Sequence, residues 1–192
     1  MVYLLTFFFI KKIKIMACLL TTGRNLNNKN RVGGLKAVYF ADFGTLGTVT
    51  EVLGEITVLS GTPDWFQYDL KGNSSLETSI NSSREAGTTF YTQTLNLTLP
   101  VLDKATQEEI KILAVTRPHI AVEDYNGNYF LVGLQHGADL TGGTIVSGAG
   151  MADLSGFTLT MEANEIAPAQ FVIDSVITTQ ASAVKIDPTA AC

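Results

Sequence analysis

Two histidines and a scatter of carboxylates are the side chains best equipped for chemistry. His119 and His136 are the only histidines, and Glu123, Asp124 and Asp139 stand close to them in the chain. Imidazole and carboxylate together can hold zinc, but this spacing matches no structural or catalytic zinc pattern. His119 opens one expected strand and His136 ends another, where an imidazole needs no metal. Asp124-Tyr125-Asn126-Gly127-Asn128 begins like a calcium loop. It departs at the sixth position, where Tyr129 replaces the turning glycine, and at the twelfth, where Gln135 replaces the bidentate glutamate.

Other motifs fail in similar ways. Ser155-Gly156 lacks the glycine two residues earlier that a nucleophile elbow requires. Gly148-Ala149-Gly150 does not continue to a dinucleotide fingerprint, and no phosphate-cradling loop is present. Arg84-Glu85 lies between Ser- and Gly-rich stretches and reads as a solvated pair of little energetic weight. Trp65, Phe66 and Tyr68 allow two readings, an exposed contact patch or core packing, and core packing is the safer because aromatics usually dominate cores. Cys18 and Cys192 lie near opposite ends, make no disulfide framework, and leave no CxxC for zinc. Three Asn-x-Ser/Thr sequons, at Asn73, Asn81 and Asn96, are coincidences of a chain rich in these residues. The residues make no case for an enzyme, a cofactor or a metal.

The leader MVYLLTFFFIKKIKIMACLL has its apolar run first and its lysines after it, the reverse of a secretory signal. The run is also too short to span a bilayer. Composition changes at Met16, which reads as the true start, with residues 1–15 outside the working protein. The chain carries 13 basic and 18 acidic side chains, net −5. Residues 1–15 hold three lysines and no acid, so removing them leaves 10 basic and 18 acidic, net −8. A basic nucleic-acid footprint is absent, and acidity of this size suggests a soluble body or a surface that repels polyanions. The 177 residues from Met16 suit one domain with a real core.

The positioning elements read mainly as strands. Leu35–Phe43 is β-rich, Val49–Leu59 is broken by Gly54, Trp65–Leu70 follows a turn signal, and Ser75–Ser79 is short and polar. Thr89–Leu99 is the clearest: Leu95, Leu97 and Leu99 alternate with Thr94, Asn96 and Thr98, so one face is buried and one wet. Thr106-Gln107-Glu108-Glu109 forms a capping box for a helix over about 106–116, with Ile110, Leu113 and Ala114 as its apolar stripe and the two glutamates facing the helix dipole. His119–Asp124 and Tyr129–Gln135 flank Asn126-Gly127, a type I′ hairpin signal. Gly142-Gly143, Gly148 and Gly150 mark turns around Thr144–Val146. Phe157–Glu162 alternates again, and Phe171–Ile173 is a last short strand. Residues 174–192 read as a loose tail. About nine strands and one helix predict a mainly β fold: a β-sandwich or partly open β-barrel with one flanking helix, forming a single domain over 16–173.

In order, the segments GGLKAVYFADF, FQYDLKGNSSLETSINSSREAGTTFYTQTLNLTL, TQEEIKILAVTRPHIAVEDYNGNYFLVGLQHGADLTGGT and DLSGFTLTMEANEIAPA, after a MAC start, resemble the major tail (tail tube) proteins of tailed bacteriophages, especially those of Bacteroidetes-type hosts. The resemblance runs from about Met16 to Val172. It implies a virion structural protein, made in the host cytoplasm and built into the tail. Rings, six copies each, would stack into a tube. Its partners would be itself and other tail proteins, with DNA passing through unbound and no membrane involved. On that reading the wet face of Thr92, Thr94, Asn96 and Thr98 lines the lumen. Few Lys or Arg line it, because a basic wall would release counterions and hold phosphate. The irregular stretch Ser60–Ser74, with Trp65, Phe66 and Tyr68, and the arm Ala17–Val32 are the expected ring-stacking elements. The alternative is a secreted or lipid-anchored bacterial surface β-sandwich binding module, with Cys18 as the lipidated end.

Overall fold

The computed structural model describes residues 23–25, 29–179 and 181–182. The chain divides into two units, Met1–Asn30 and Arg31–Cys192. The described residues of the first carry no helix or strand. Residues 1–15, Met16, Cys18, most of the arm Ala17–Val32 and Cys192 lie outside the described residues.

The second unit is mainly β, with two sheets and no closed barrel. Its strands are β1 (Leu35–Ala41), β2 (Val49–Val52), β3 (Glu55–Leu59), β4 (Trp65–Asp69), β5 (Ser75–Ser83), β6 (Thr88–Pro100), β7 (His119–Asp124), β8 (Tyr129–Val132), β9 (Asp139–Val146), β10 (Gly156–Glu165), β11 (Gln170–Val172) and β12 (Ala181–Ser182). Helix α1 (Lys104–Leu113) follows β6, and α2 (Asp174–Thr178) follows β11. The large sheet has the order β12-β4-β1-β7-β8-β11-β3-β2, and the small sheet β5-β6-β10-β9. Pairing is antiparallel except between β11 and β3 and between β12 and β4.

The sheets face each other across one core. Val38, Phe40, Ile120, Val122 and Val132 come from the large sheet, and Leu95, Leu97, Leu99, Phe157, Leu159 and Met161 from the small one. Ile110 of α1 joins the same core. A second core lies on the other face of the large sheet, where Ala37, Tyr39, Ala121 and Leu131 meet Ile56, Leu59, Trp65, Val172 and Ile177. β1 therefore buries alternate side chains in both cores, which is why its sequence shows no polar face.

Several expectations need correction. Helix α1 begins two residues earlier than its sequence suggested and ends at Leu113, and its cap is Asp103, not Thr106. The Asp103 carboxylate accepts from the Thr106 amide (2.7 Å) and hydroxyl (2.5 Å). An Asp at N-cap does the same work as Thr, so the capping signal was real but out of register, and no acid lies in the first turn.

The Asp124–Asn128 turn is not type I′. Gly127 alone has positive φ (78°), and its amide donates to the Asp124 carbonyl (3.2 Å). That is a type I turn with glycine in the left-handed position. The Asp124 carboxylate accepts from the amides and side chains of Asn126 and Asn128, which explains the calcium-like sequence without an ion. Those bonds outweigh the opposing effect of burial and hold its pKa low.

Gly142-Gly143 lies inside β9 rather than in a turn, and β5 runs on to Ser83. The stretch after Ile173 is not loose throughout: Ile177 is fully buried in the second core, and Ala181 and Ser182 pair with Trp65 and Phe66. The folded body thus extends past 173. Elements of five and two residues are too short to show a period.

Candidate functional site

The feature that stands out is the outer face of the small sheet. Cross-strand register puts the four expected residues of β6 on it together with residues of the other three strands. Thr98 lies opposite Thr158, which lies opposite Thr144. Asn96 lies between Ser75 and Thr160, Thr94 between Glu77 and Glu162, and Thr92 between Ser79 and Asn164. Leucines and aromatics of the same strands fill the inner face, so side-chain alternation makes the outer one polar.

These side chains bond to one another. The Thr144 and Thr158 hydroxyls are 2.6 Å apart. Thr160 donates to Asn96 Oδ1 (3.0 Å), and Asn81 Nδ2 donates to the Thr92 hydroxyl (2.9 Å), which donates to Asn164 Oδ1 (2.7 Å). The face carries the carboxylates Glu77 and Glu162, with Asp139 beside Glu162 at its edge. No Lys or Arg occurs in any of the four strands. Arg117 approaches Asp139 from outside the sheet, at 3.4 Å.

The borders of this sheet matter equally. β5 has nine residues and β9 has eight. Among the described residues neither pairs with a further strand on its outer side. The large sheet, by contrast, ends in strands of four and two residues. Long edges are normally blunted by lysine, proline, a bulge or brevity; β5 uses none of these, and β9 has only one register shift, opposite Thr160–Met161.

The β5–β6 hairpin also projects. β10 accompanies β6 only as far as Tyr91, whereas β5 pairs on to Ser83 and Thr88. Past that row Phe90 is exposed, and so is Ile80 in the row itself. Arg84 and Glu85 sit at the tip, both exposed.

The three expected ring-stacking residues are not in an irregular loop. Trp65, Phe66 and Tyr68 belong to β4. Trp65 is fully buried in the second core, and Tyr68 packs edge-on against Phe40 at 5.3 Å. Phe66 alone remains well exposed. Strand alternation explains the split, since Trp65 points to one face of the large sheet and Phe66 and Tyr68 to the other.

Both histidines serve the fold. His119 is buried; its Nδ1 donates to the Gly133 carbonyl (2.6 Å), and its Nε2 accepts from the Gly44 amide (3.0 Å). Burial lowers its pKa, against smaller opposing effects of the Gly133 bond and Glu165. His136 is 3.2 Å from the buried carboxylate of Glu165, which also accepts the Gln135 and His136 amides. No cluster of three or more metal-ligating side chains occurs among the described residues. Composition alone did not reveal Gln93, buried on the inner face, where it accepts from the Gly133 amide and donates to the Ala167 carbonyl.

No protein-family model, curated protein or solved structure matches the chain.

Proposed function

We propose that this chain is a self-assembling structural protein of the phage tail tube, whose small sheet forms the tube wall. The carrying observation is the combination, in one sheet, of four strands that contain no Lys or Arg and two long edges that pair with no further strand among the described residues. β9 of one copy adds to β5 of the next by main-chain hydrogen bonding. Such a contact joins two different surfaces, so repetition around an axis closes a ring. Six copies per ring is what the tail-tube resemblance implies.

The polar face then looks inward. Its hydroxyls and amides are largely engaged with each other, and its charges are negative. A wall of this kind repels phosphate and releases no counterions to DNA, so DNA slides without being held.

Negative-stain electron microscopy of the purified chain, full-length and begun at Met16, tests the reading at high concentration in moderate salt. Rings or hollow tubes are expected. A monomer at all concentrations, together with a lipid-modified Cys18 in the native protein, would replace it with the surface binding module.

A further inference from the structure

A cleft of about 500 Å3 opens between α1, β4 and the ends of β1 and β6. Its apolar lining includes Phe40, Leu99, Ile112 and Leu113. Four carboxylates, Asp42, Asp69, Asp103 and Glu109, share that lining with a single cation, Lys71. The Tyr68 phenol also faces the cleft, its pKa pushed up to about 12 by burial and then by Glu109 and Asp103. Asp103 is occupied in capping α1, whereas Glu109 has no partner among the described residues. An apolar floor under surplus negative charge suits a cationic head on an apolar support.

The chain itself presents such a group. Arg84 stands at the tip of the projecting hairpin without a partner among the described residues, with exposed Ile80 and Phe90 behind it. It cannot reach the cleft of its own copy. The cleft includes Leu99 and Pro100 at one end of β6, and the tip lies beyond Thr88 at the other. A strand of this length spans roughly 40 Å at about 3.3 Å per residue.

We propose that the cleft receives the β5–β6 hairpin tip of a second copy, with Arg84 entering beside Glu109 and Tyr68 and Glu85 meeting Lys71. Because knob and hole lie at opposite ends of one strand, the contact is head-to-tail along β6 and propagates without closing. The inference rests on the tube reading: edge pairing makes the ring, and this contact stacks one ring on the next.

Charge exchange in the full chain tests it. Arg84→Glu should leave rings but no tubes, and Glu109→Arg should do the same. Combining the two substitutions should restore tubes, which a merely damaged fold would not do. Far-UV circular dichroism and a thermal melt check that each variant folds. Tubes of ordinary length from Arg84→Glu would overturn this inference alone and leave the tube reading standing. Should the unaltered chain form neither rings nor tubes, the tube reading falls, and mixed variants with one added cysteine each decide the contact. Ala86→Cys, which keeps Arg84 and Glu85 at the exposed tip, mixed with Thr106→Cys in the cleft lining should give a disulfide-linked pair above the level set by Cys18 and Cys192 in the unaltered chain. Absence of that pair would overturn the contact.

Discussion

The large sheet is covered on both faces, and the small sheet on one. In β1 successive residues from Ala37 to Ala41 are all buried, alternately in the two cores. In β6 burial stops at every second residue, because Leu95, Leu97 and Leu99 meet the core and Thr94, Asn96 and Thr98 do not. One sheet is interior structure; the other is a wall between core and surroundings. The wall is also the sheet whose two long edge strands pair with no further strand among the described residues, and the proposed joining of copies uses those edges.

Substitutions can break or sharpen this contrast. The largest effect should come from Trp65→Ala, at about 3–5 kcal/mol, as for other large buried aromatics. Leu97→Ala in the core between the sheets should cost about 2–5 kcal/mol. Urea denaturation compares them: similar losses with one transition mean that both cores fold as one unit, while a Trp65→Ala loss below about 1 kcal/mol would make the second core a loose flap.

Next comes Gln93→Leu, which places an apolar side chain at the one buried amide of the inner β6 face. It should still destabilise by about 1–3 kcal/mol per stranded partner, because the Gly133 amide and Ala167 carbonyl lose their bonds. A neutral result in the same denaturation measurement would show that position to be ordinary core.

His119 sharpens the contrast through pH. Its ordinary pKa is 6.5, and the folded value is lower. Above 6.5 the ring is mostly neutral in both states and no penalty arises. As pH falls below 6.5 the unfolded chain takes up a proton that the folded chain resists, so stability falls toward the folded pKa. The proton would go to Nε2, which already faces the Gly44 N–H. Melts between pH 7 and 5 should show this loss, with a shallower dependence in His119→Gln.

The smallest effect is expected on the open face. Thr94→Val should change stability by no more than about 0.5 kcal/mol. A loss above about 1 kcal/mol, read in the same melts, would mean that this face is packed within a single copy.

The sequence carried more of the wall than of the interior. The TLNLTL alternation of β6 and the FTLTME alternation of β10 were legible because period two is a local property, independent of what a strand pairs with. Core packing was the safer reading of Trp65, Phe66 and Tyr68 and holds for Trp65, but the run alone did not show that Phe66 stays exposed. Arg84-Glu85 looked like a solvated pair, and nothing in the neighbouring residues disclosed how far its hairpin projects. Gly142-Gly143 read as a turn because glycine usually marks one. In the fold β9 takes both as strand, and a side chain at Gly143 would crowd the Thr158 carbonyl of β10.

By itself, then, the sequence determined a mainly β body, a helix overlapping most of Lys104–Leu113, and a two-faced strand with its leucines on one side. Each follows from the spacing of a few consecutive residues. Only the tertiary structure decided that β6 lies between β5 and β10, that Thr158, Thr160 and Glu162 share a face with Thr94 and Asn96, and that the chain past Ile173 returns to cover a second core. The β6–β10 pairing and the return of the chain past Ile173 depend on contacts between residues some 60 to 120 positions apart, and no local period encodes which distant strand becomes the neighbour.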